Sequence, residues 1–448
     1  LYDKIVELIK KDMNNKKDKY IANKYYYYKP KTKEDNIVNT TNANGDIITI
    51  NLNKSCNINI NYFKLLVNQK IDYLLAKVPT FSPKNYTKNQ LVELFETMML
   101  NASLDVVSWL HFYVENNKLD WIIIHDVEII PLYDTHNKNI IGIIRYYETD
   151  KETIQVEQWS VNGVEISIIK EDKLGEVQEL SHYKQDTIYQ DEIVDTQYYN
   201  FTFIPFVPLY NNRNKESDME GIQELLDYYN QVSSGFIDNI DKFQEALMKL
   251  KGFSGDSSTL EQTMKDLKRY KMVGLPEDGD VDFIKVEIPV EARKVILDLL
   301  KENIFKLGRG FDEDNLGDGN ITNIVIKSRY SKLDAKANGC EKQLKLFYEK
   351  FVECENKYYN NNENSDLECN RTQLFNASEM ITDCVNATDL VLNGLLSKET
   401  LIKNNPWVTD FKQELKLIDK ENQNDNSGQN LPNDNSGQNL PNVNQGGQ

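Results

Sequence analysis

The chain has 448 residues, 40% of them hydrophobic and 27% charged, an ordinary composition for a folded protein with room for about three domains. Its 70 acidic and 52 basic residues leave a formal charge of −18, which disfavours a simple nucleic-acid binder, because that affinity needs a basic surface to displace phosphate counterions. No apolar run approaches the ~20 residues of a membrane-spanning helix, and the most apolar central stretch, Trp121 to Pro131, is short and cut by charge.

The N-terminal residues Leu1 to Lys10 alternate charge and apolarity and lack a small-residue cleavage site, the pattern of an amphipathic helix rather than a signal peptide. After the aromatic run Tyr25 to Tyr28, residues 31–54 are polar, with a Gly45-Asp46 turn before the alternating segment Asp46 to Leu52 that predicts a hairpin. Phe63, Leu66, Val67, Ile71 and Leu74 share one face of a helix expected over 61–77, ended by Pro79. A second helix is expected over about 88–116. From Trp121 to Tyr210, β-branched and aromatic residues alternate with polar ones between turn residues, so the first half reads as an α+β body.

The character changes at Ser217. Ser217-Asp-Met-Glu220 carries a capping-box signature, in which serine and glutamate satisfy orphan N–H groups of a helix start. Apolar residues then recur at Ile222, Leu225, Tyr229, Val232, Phe236, Ile240, Phe243, Leu247 and Leu250, predicting one helix ~50 Å long. Residues 253–288 break the pattern, with a short helix near 257–270, a turn at Pro276 to Asp280 and a hairpin strand over Val281 to Ile288. Pro289 then opens a helix running to Leu307.

Gly308 to Asn320 holds four glycines and four acids and is expected to be a flexible, acidic loop. Beyond it, Ile326, Tyr330, Leu333, Ala337, Cys340, Leu344, Phe347, Phe351, Cys354 and Tyr358 alternate in steps of four and three. Such a stripe is a packing seam, in a coiled coil or against a long groove. Gly339, beside it, costs the helix about 1 kcal/mol and permits a bend. Further on, 368–375 reads as a strand, and 376–396, 397–404 and the stretch after Pro406 as short helices. The repeats Asn424 to Pro432 and Asn433 to Pro441 cannot bury apolar surface, so residues 422–448 are expected to be disordered.

Catalytic motifs are missing: there is no phosphate-binding loop, no dinucleotide fingerprint and no H-E-x-x-H. His111, His125, His136 and His182 have no metal-ligand spacing to one another or to a cysteine. Cys56, Cys340, Cys354, Cys369 and Cys384 are far apart and read as reduced thiols. Asp312-x-Asp314 faintly suggests a calcium loop, but Leu316 and Asn323 stand where that pattern requires ligands. No cofactor is implied, and an enzyme reading has no positive support.

The order of elements resembles the portal proteins of tailed bacteriophages, in particular of siphophages infecting Gram-positive hosts. The residues that carry the resemblance are Asn61 to Pro79, Ile129 to Tyr133, the Pro-Phe-x-Pro strand in Phe203 to Asn212 leading into Ser217 to Asn230, Gly319 to Lys327, and Leu395 to Leu401. Ala76 and Thr322-Asn323 depart from the family's usual glycine and Ser-Gly. The resemblance implies a helix-rich α+β fold with a wing over 1–217 and 321–375, stem helices over 218–252 and 289–307, and a clip over 253–288. It further implies a tunnel loop over 308–320, a crown over 376–421 and a disordered tail.

On that resemblance the chain is no enzyme. The resemblance implies a dodecameric ring at one capsid vertex, through which the terminase packages double-stranded DNA and the genome later leaves. Major capsid and scaffolding proteins and a head–tail adaptor are its other partners, the virion its location and the host cytoplasm its place of synthesis. The residues expected at the DNA channel are Gly308, Arg309, Gly310, Asp312, Glu313, Asp314, Asn315, Asp318 and Asn320 in the loop, with Lys242 and Lys249 in the stem. Clip contacts are expected at Tyr270, Lys271, Glu277, Asp278 and Asp280. Negative charge fits a conduit whose wall must let DNA slide. Two rival classes remain: a coiled-coil scaffold or tail-assembly protein without a channel, and an acidic-cluster, metal-dependent nuclease.

Overall fold

Contacts in the computed structural model divide the chain into two units, Leu1–Leu316 with Arg329–Gln373 and Gly317–Ser328 with Leu374–Gln448. The structure describes residues 2–28, 37–41, 47–51, 60–83, 87–136, 139–150, 153–171, 173–189, 192–243, 247–251, 265, 280–284, 289–312, 322–371, 377–403, 405, 407–408 and 411–427.

In the first unit, helix α1 (Tyr2–Tyr28) is followed by the expected hairpin, β1 (Ile37–Thr41) antiparallel to β2 (Ile47–Asn51). Helix α2 (Tyr62–Leu75) starts where Asn61 caps it, its side chain accepting from the Lys64 N–H at 2.9 Å. Its apolar face is buried as the spacing predicted. Strand β3 (Lys77–Ser82) and helix α3 (Lys88–Asp105) follow, α3 opening with a capping box between Thr87 and Gln90.

Here the structure corrects the sequence reading. The helix expected to reach residue 116 stops at Asp105, Val106 turns the chain at φ 79°, and β4 (Val107–Glu115) begins. Every residue from Val107 to Phe112 is buried. A strand covered on both faces loses the alternation by which strands are recognised. β4 is the middle strand of a three-stranded sheet, between β5 (Lys118–His125) and β14 (Phe206–Tyr210).

Between those two lie β6 (Ile129–Tyr133), β7 (Ile140–Asp150), β8 (Thr153–Ser160), β9 (Gly163–Lys170), β10 (Lys173–Leu174) and β11 (Gln178–Leu180). They form an antiparallel sheet in the order β10-β9-β8-β7-β6, with β11 also on β9. Ile5, Val6 and Ile9 of α1 pack on its Ile130, Ile144, Tyr146, Val156 and Ile169. A separate hairpin, β12 (Tyr183–Tyr189) with β13 (Glu192–Tyr199), completes the strand-rich half.

His111 of β4 sits in the core, its ring stacked on Phe206 at 4.2 Å and edge-on to Trp159. Its Nδ1 lies 3.1 Å from the Pro205 carbonyl, which can only accept, so Nδ1 carries the proton. Burial pulls its pKa down from 6.5 to about 3. As pH falls below 6.5 the unfolded chain binds a proton that the folded chain refuses, so this site weakens the fold by roughly 1.4 kcal/mol per pH unit. His111→Phe should therefore flatten the fall of the unfolding free energy between pH 6.5 and about 4, read by urea titration at each pH. An unchanged slope would assign the acid sensitivity elsewhere.

The second half of this unit holds α4 (Gln223–Phe243), β15 (Leu247–Lys251), β16 (Asp280–Ile284) and α5 (Val290–Gly308). The single helix expected to reach Leu250 is therefore corrected twice. It begins at Gln223, after a turn over 218–222, and it ends at Phe243. Leu247 and Leu250 keep helical spacing yet belong to a strand, because β15 pairs antiparallel with β16, with Lys249 in register with Asp282 and Lys251 with Asp280 along the backbone ladder. Helices α4 and α5 pack together, Arg293 donating to the Gly235 carbonyl at 3.1 Å.

The long stripe forms one helix, α6 (Asn323–Tyr359). Its seam from Tyr330 to Cys354 is buried inside the chain itself. Phe81 and Phe95 meet Tyr348, and Phe112 and Trp121 meet Phe351. Strand β17 (Asp366–Asn370) returns to pair with β3. Cys340, Cys354 and Cys369 are buried free thiols, and burial pushes the latter two up to about 12.

In the second unit, α7 (Ala377–Leu392), α8 (Lys398–Lys403) and α9 (Phe411–Ser427) lie where short helices were expected. Gly394, at φ 71°, ends α7 in the left-handed conformation that glycine adopts without strain. Ser397 Oγ accepts from the Thr400 N–H and opens α8. Helix α9 runs to Ser427, so residues 422–427, expected to be disordered, are helical; residues 428–448 lie outside the described residues.

Candidate functional site at the base of the glycine-rich segment

The glycine-rich segment begins at the C-terminus of α5, and its first residues are docked, not free. Arg309 takes the left-handed conformation at φ 55°, and the Arg309 and Gly310 N–H groups both donate to the Phe305 carbonyl, closing the helix end. The glycines on either side serve close approach. A Cβ on Gly308 would lie 2.6 Å from Leu66 Cδ1 of α2, and one on Gly310 only 2.2 Å from its Cδ2. Leu66 is 1% exposed and has little room to yield.

Phe311 follows, buried and stacked on Tyr330 at 4.2 Å with 16° between the rings. Gln69 of α2 clamps its backbone from both sides, Nε2 donating to the Phe311 carbonyl at 2.8 Å and Oε1 accepting from its N–H at 2.7 Å. Asp312 pairs with Lys301 at 3.3 Å. The expectation of a wholly flexible loop is corrected for 308–312. Its remainder, with Glu313, Asp314, Asn315, Asp318 and Asn320, lies outside the described residues.

Beneath this base is a buried charge cluster. Lys70 is 1% exposed and spends its three hydrogens on Ser103 Oγ at 2.6 Å, Asn211 Oδ1 at 2.7 Å and Asp218 Oδ2 at 2.6 Å. Lys336 of α6 reaches the same Asp218 oxygen at 3.3 Å and donates to the Gly308 carbonyl at 3.0 Å. Asn211 donates to the other Asp218 oxygen at 3.0 Å, and the Asp218 N–H donates to the Ser103 carbonyl. Desolvation pushes the Asp218 carboxyl up, but the ammonium groups of Lys336 and Lys70 outweigh it and hold it below the usual carboxylate range. Desolvation holds Lys336 below the usual lysine range. One carboxylate thus ties α2, α3, the end of β14, the approach to α4, and α6 together, and through Lys336 it holds the last turn of α5.

This cluster was missed in the sequence. Asp218 was read as a member of a capping box, whereas Ser217 Oγ accepts only from the Met219 N–H and the helix starts later. The available signal was Lys70, a lysine on the apolar face between Leu66 and Leu74. Of the other expected residues, Lys242 is near the end of α4 and Lys249 is on the strand β15, not on a helix. Asp280 is the first residue of β16, and Tyr270, Lys271, Glu277 and Asp278 lie outside the described residues. Among the described residues, no group of three or more His, Cys, Asp or Glu could hold a metal ion, and no helix is long and apolar enough to cross a membrane.

The model of the phage portal protein family, SPP1 Gp6-like, matches residues 6–428, ending one residue beyond α9. The chain is 25% identical over 449 residues to the portal protein of Clostridium phage phiCD119, covering 94% of this chain and 96% of that one. It is 27% identical over 386 residues to the portal protein of Bacillus phage SPP1, covering 80% of this chain and 75% of that one. A match over nearly the whole chain, running through every element from α1 to α9, places it in the SPP1 Gp6-like family of phage portal proteins, a family of structural proteins.

Proposed function

We propose that this chain assembles into a ring of about twelve copies at one capsid vertex, and that the ring's channel passes double-stranded DNA without sequence specificity. The observation that carries the reading is the family match over residues 6–428. In this reading α4 and α5 form the stem, residues 253–288 the clip that meets the terminase and later the head–tail adaptor, and 376–421 the crown inside the capsid. Residues 1–217 and 321–375 form the wing, with capsid and scaffolding proteins around it. The protein is made in the host cytoplasm and ends in the virion.

The docked base gives the tunnel loop a definite division. Gly308, Gly310 and Phe311 fix its root on α2, so contact with the moving duplex falls to residues 313–320. Acids there weaken static binding to phosphate, which suits sliding. Helix α5 also leaves Val295, Ile296, Leu299 and Leu307 exposed, an apolar row that a neighbouring copy would cover. The coiled-coil scaffold is less favoured, because the α6 seam it would use is already buried in its own chain.

Native mass measurement and negative-stain imaging of the full chain test the reading. The expected result is a ring of about twelve subunits with a central hole. A monomer across micromolar concentrations, or rods without a hole, would overturn it.

A further inference from the structure

The buried cluster opens into a cavity of about 320 Å³ between residues 211–220, the end of α5 and the middle of α6. Four cationic side chains line it, Lys70, Lys336, Arg213 and Arg309, against three anionic ones, Asp218, Glu216 and Glu220. On its floor two ammonium groups share the single carboxylate of Asp218. The hydrogens of Lys70 are all taken, whereas Lys336 has two acceptors, Asp218 and the Gly308 carbonyl, which leaves one N–H without an acceptor among the described residues. The interior therefore carries an excess positive charge, an arrangement that is costly unless an anion compensates it.

Gly339 is a second, independent sign. It lines this cavity from the middle of α6, where glycine weakens a helix relative to alanine. A Cβ built on it meets nothing within 4 Å, so no neighbour in the chain requires a glycine there. The space over the helix backbone at Gly339 is open and faces the cavity.

We infer that this cavity receives a carboxylate side chain from a second copy of the chain. Two observations favour that occupant over other anions. Leu307 both lines the cavity and ends the exposed row of Val295, Ile296 and Leu299 on α5, so a copy laid along that row reaches the cavity mouth. The chain also has 70 acidic residues to offer. The inserted carboxylate accepts from Lys336 and the rim arginines and settles the excess charge, locking the root of the glycine-rich segment against its neighbour. The inference rests on the ring reading above and names a contact within it.

Gly339→Leu tests it, with Gly339→Ala as the small control and Arg309→Glu as a charge test. Leucine is a good helix former and its Cβ at 339 meets nothing within 4 Å, so the unfolding midpoint of the dissociated chain should hold or rise. Subunit association, measured by sedimentation across a dilution series, should weaken at least tenfold for Gly339→Leu and for Arg309→Glu, and little for Gly339→Ala. Wild-type rings with association unchanged in both Gly339→Leu and Arg309→Glu would overturn this inference and leave the ring reading standing. A wild-type chain that stays monomeric would overturn both. If inorganic phosphate at matched ionic strength stabilises the dissociated chain while Gly339→Leu leaves association unchanged, the occupant is a free anion and the second-copy inference fails.

Discussion

Asp218→Ala should destabilise the first unit by about 3–5 kcal/mol, because it leaves two ammonium groups buried with no carboxylate between them. The loss exceeds that of an ordinary buried hydrogen bond, about 1 kcal/mol, since charged groups must then remain desolvated and unpaired. Lys336→Met should cost less: it removes one of the two cations and leaves the Lys70–Asp218 contact at 2.6 Å intact. Urea unfolding of the dissociated variants at neutral pH measures both. The pH dependence follows from the sign of the shift. Asp218 is held below its ordinary value of 3.8, so its contribution is complete above that pH and is lost as pH falls further. The gap between variant and parent should therefore begin to narrow at pH 3.8 and shrink progressively as pH falls further. Equal losses for Asp218→Ala and Lys336→Met at neutral pH would show that the carboxylate is not the hub.

Phe311→Ala should cost about 3–5 kcal/mol and free the root of the glycine-rich segment. The ring is 4% exposed and stacked on Tyr330, so its removal leaves a cavity between α2 and α6. Gln69 still bonds the backbone of residue 311 in the variant, so a change there isolates the ring's share of the anchoring. Amide exchange at residues 310–312 should accelerate at least tenfold beyond the rise that the fall in global stability gives the core strands β4 and β8. In the proposed portal, rings should still form but lose DNA retention, because the loop root no longer fixes where its tip meets the duplex. Unchanged exchange at 310–312 would mean that Gln69 and the α5 cap carry the anchoring alone.

Much of this fold was legible because it obeys local rules. The α6 stripe, the α2 face, the β1–β2 hairpin and the Pro289 start each reflect forces acting within a few turns of chain, and each lies where the sequence put it. The failures share one cause, which is distant partners. β4 lost its alternation because sheet neighbours and α3 cover both its faces. Leu247 and Leu250 kept helical spacing, yet their strand is decided by pairing with β16 across a long separation in sequence. The glycines at 308 and 310 were read as sources of flexibility, and the reason for them is Leu66, more than two hundred positions earlier. The Asp218 cluster was invisible for the same reason: its members look like a cap residue, a misplaced lysine and a seam-flanking lysine until the fold brings them within 3.3 Å.

The pairing of β15 with β16 acts as a neck around residues 252–279. Tying the two ends of a chain segment together carries an entropic penalty that grows only with the logarithm of its length, about 0.6 kcal/mol for each doubling. With the ladder Leu247–Ile284 to Lys251–Asp280 holding the ends in register, the enclosed segment can lengthen, shorten or change sequence at little thermodynamic expense to α4 and α5. A change of length between the two strands therefore leaves the packing of α4 against α5 almost untouched.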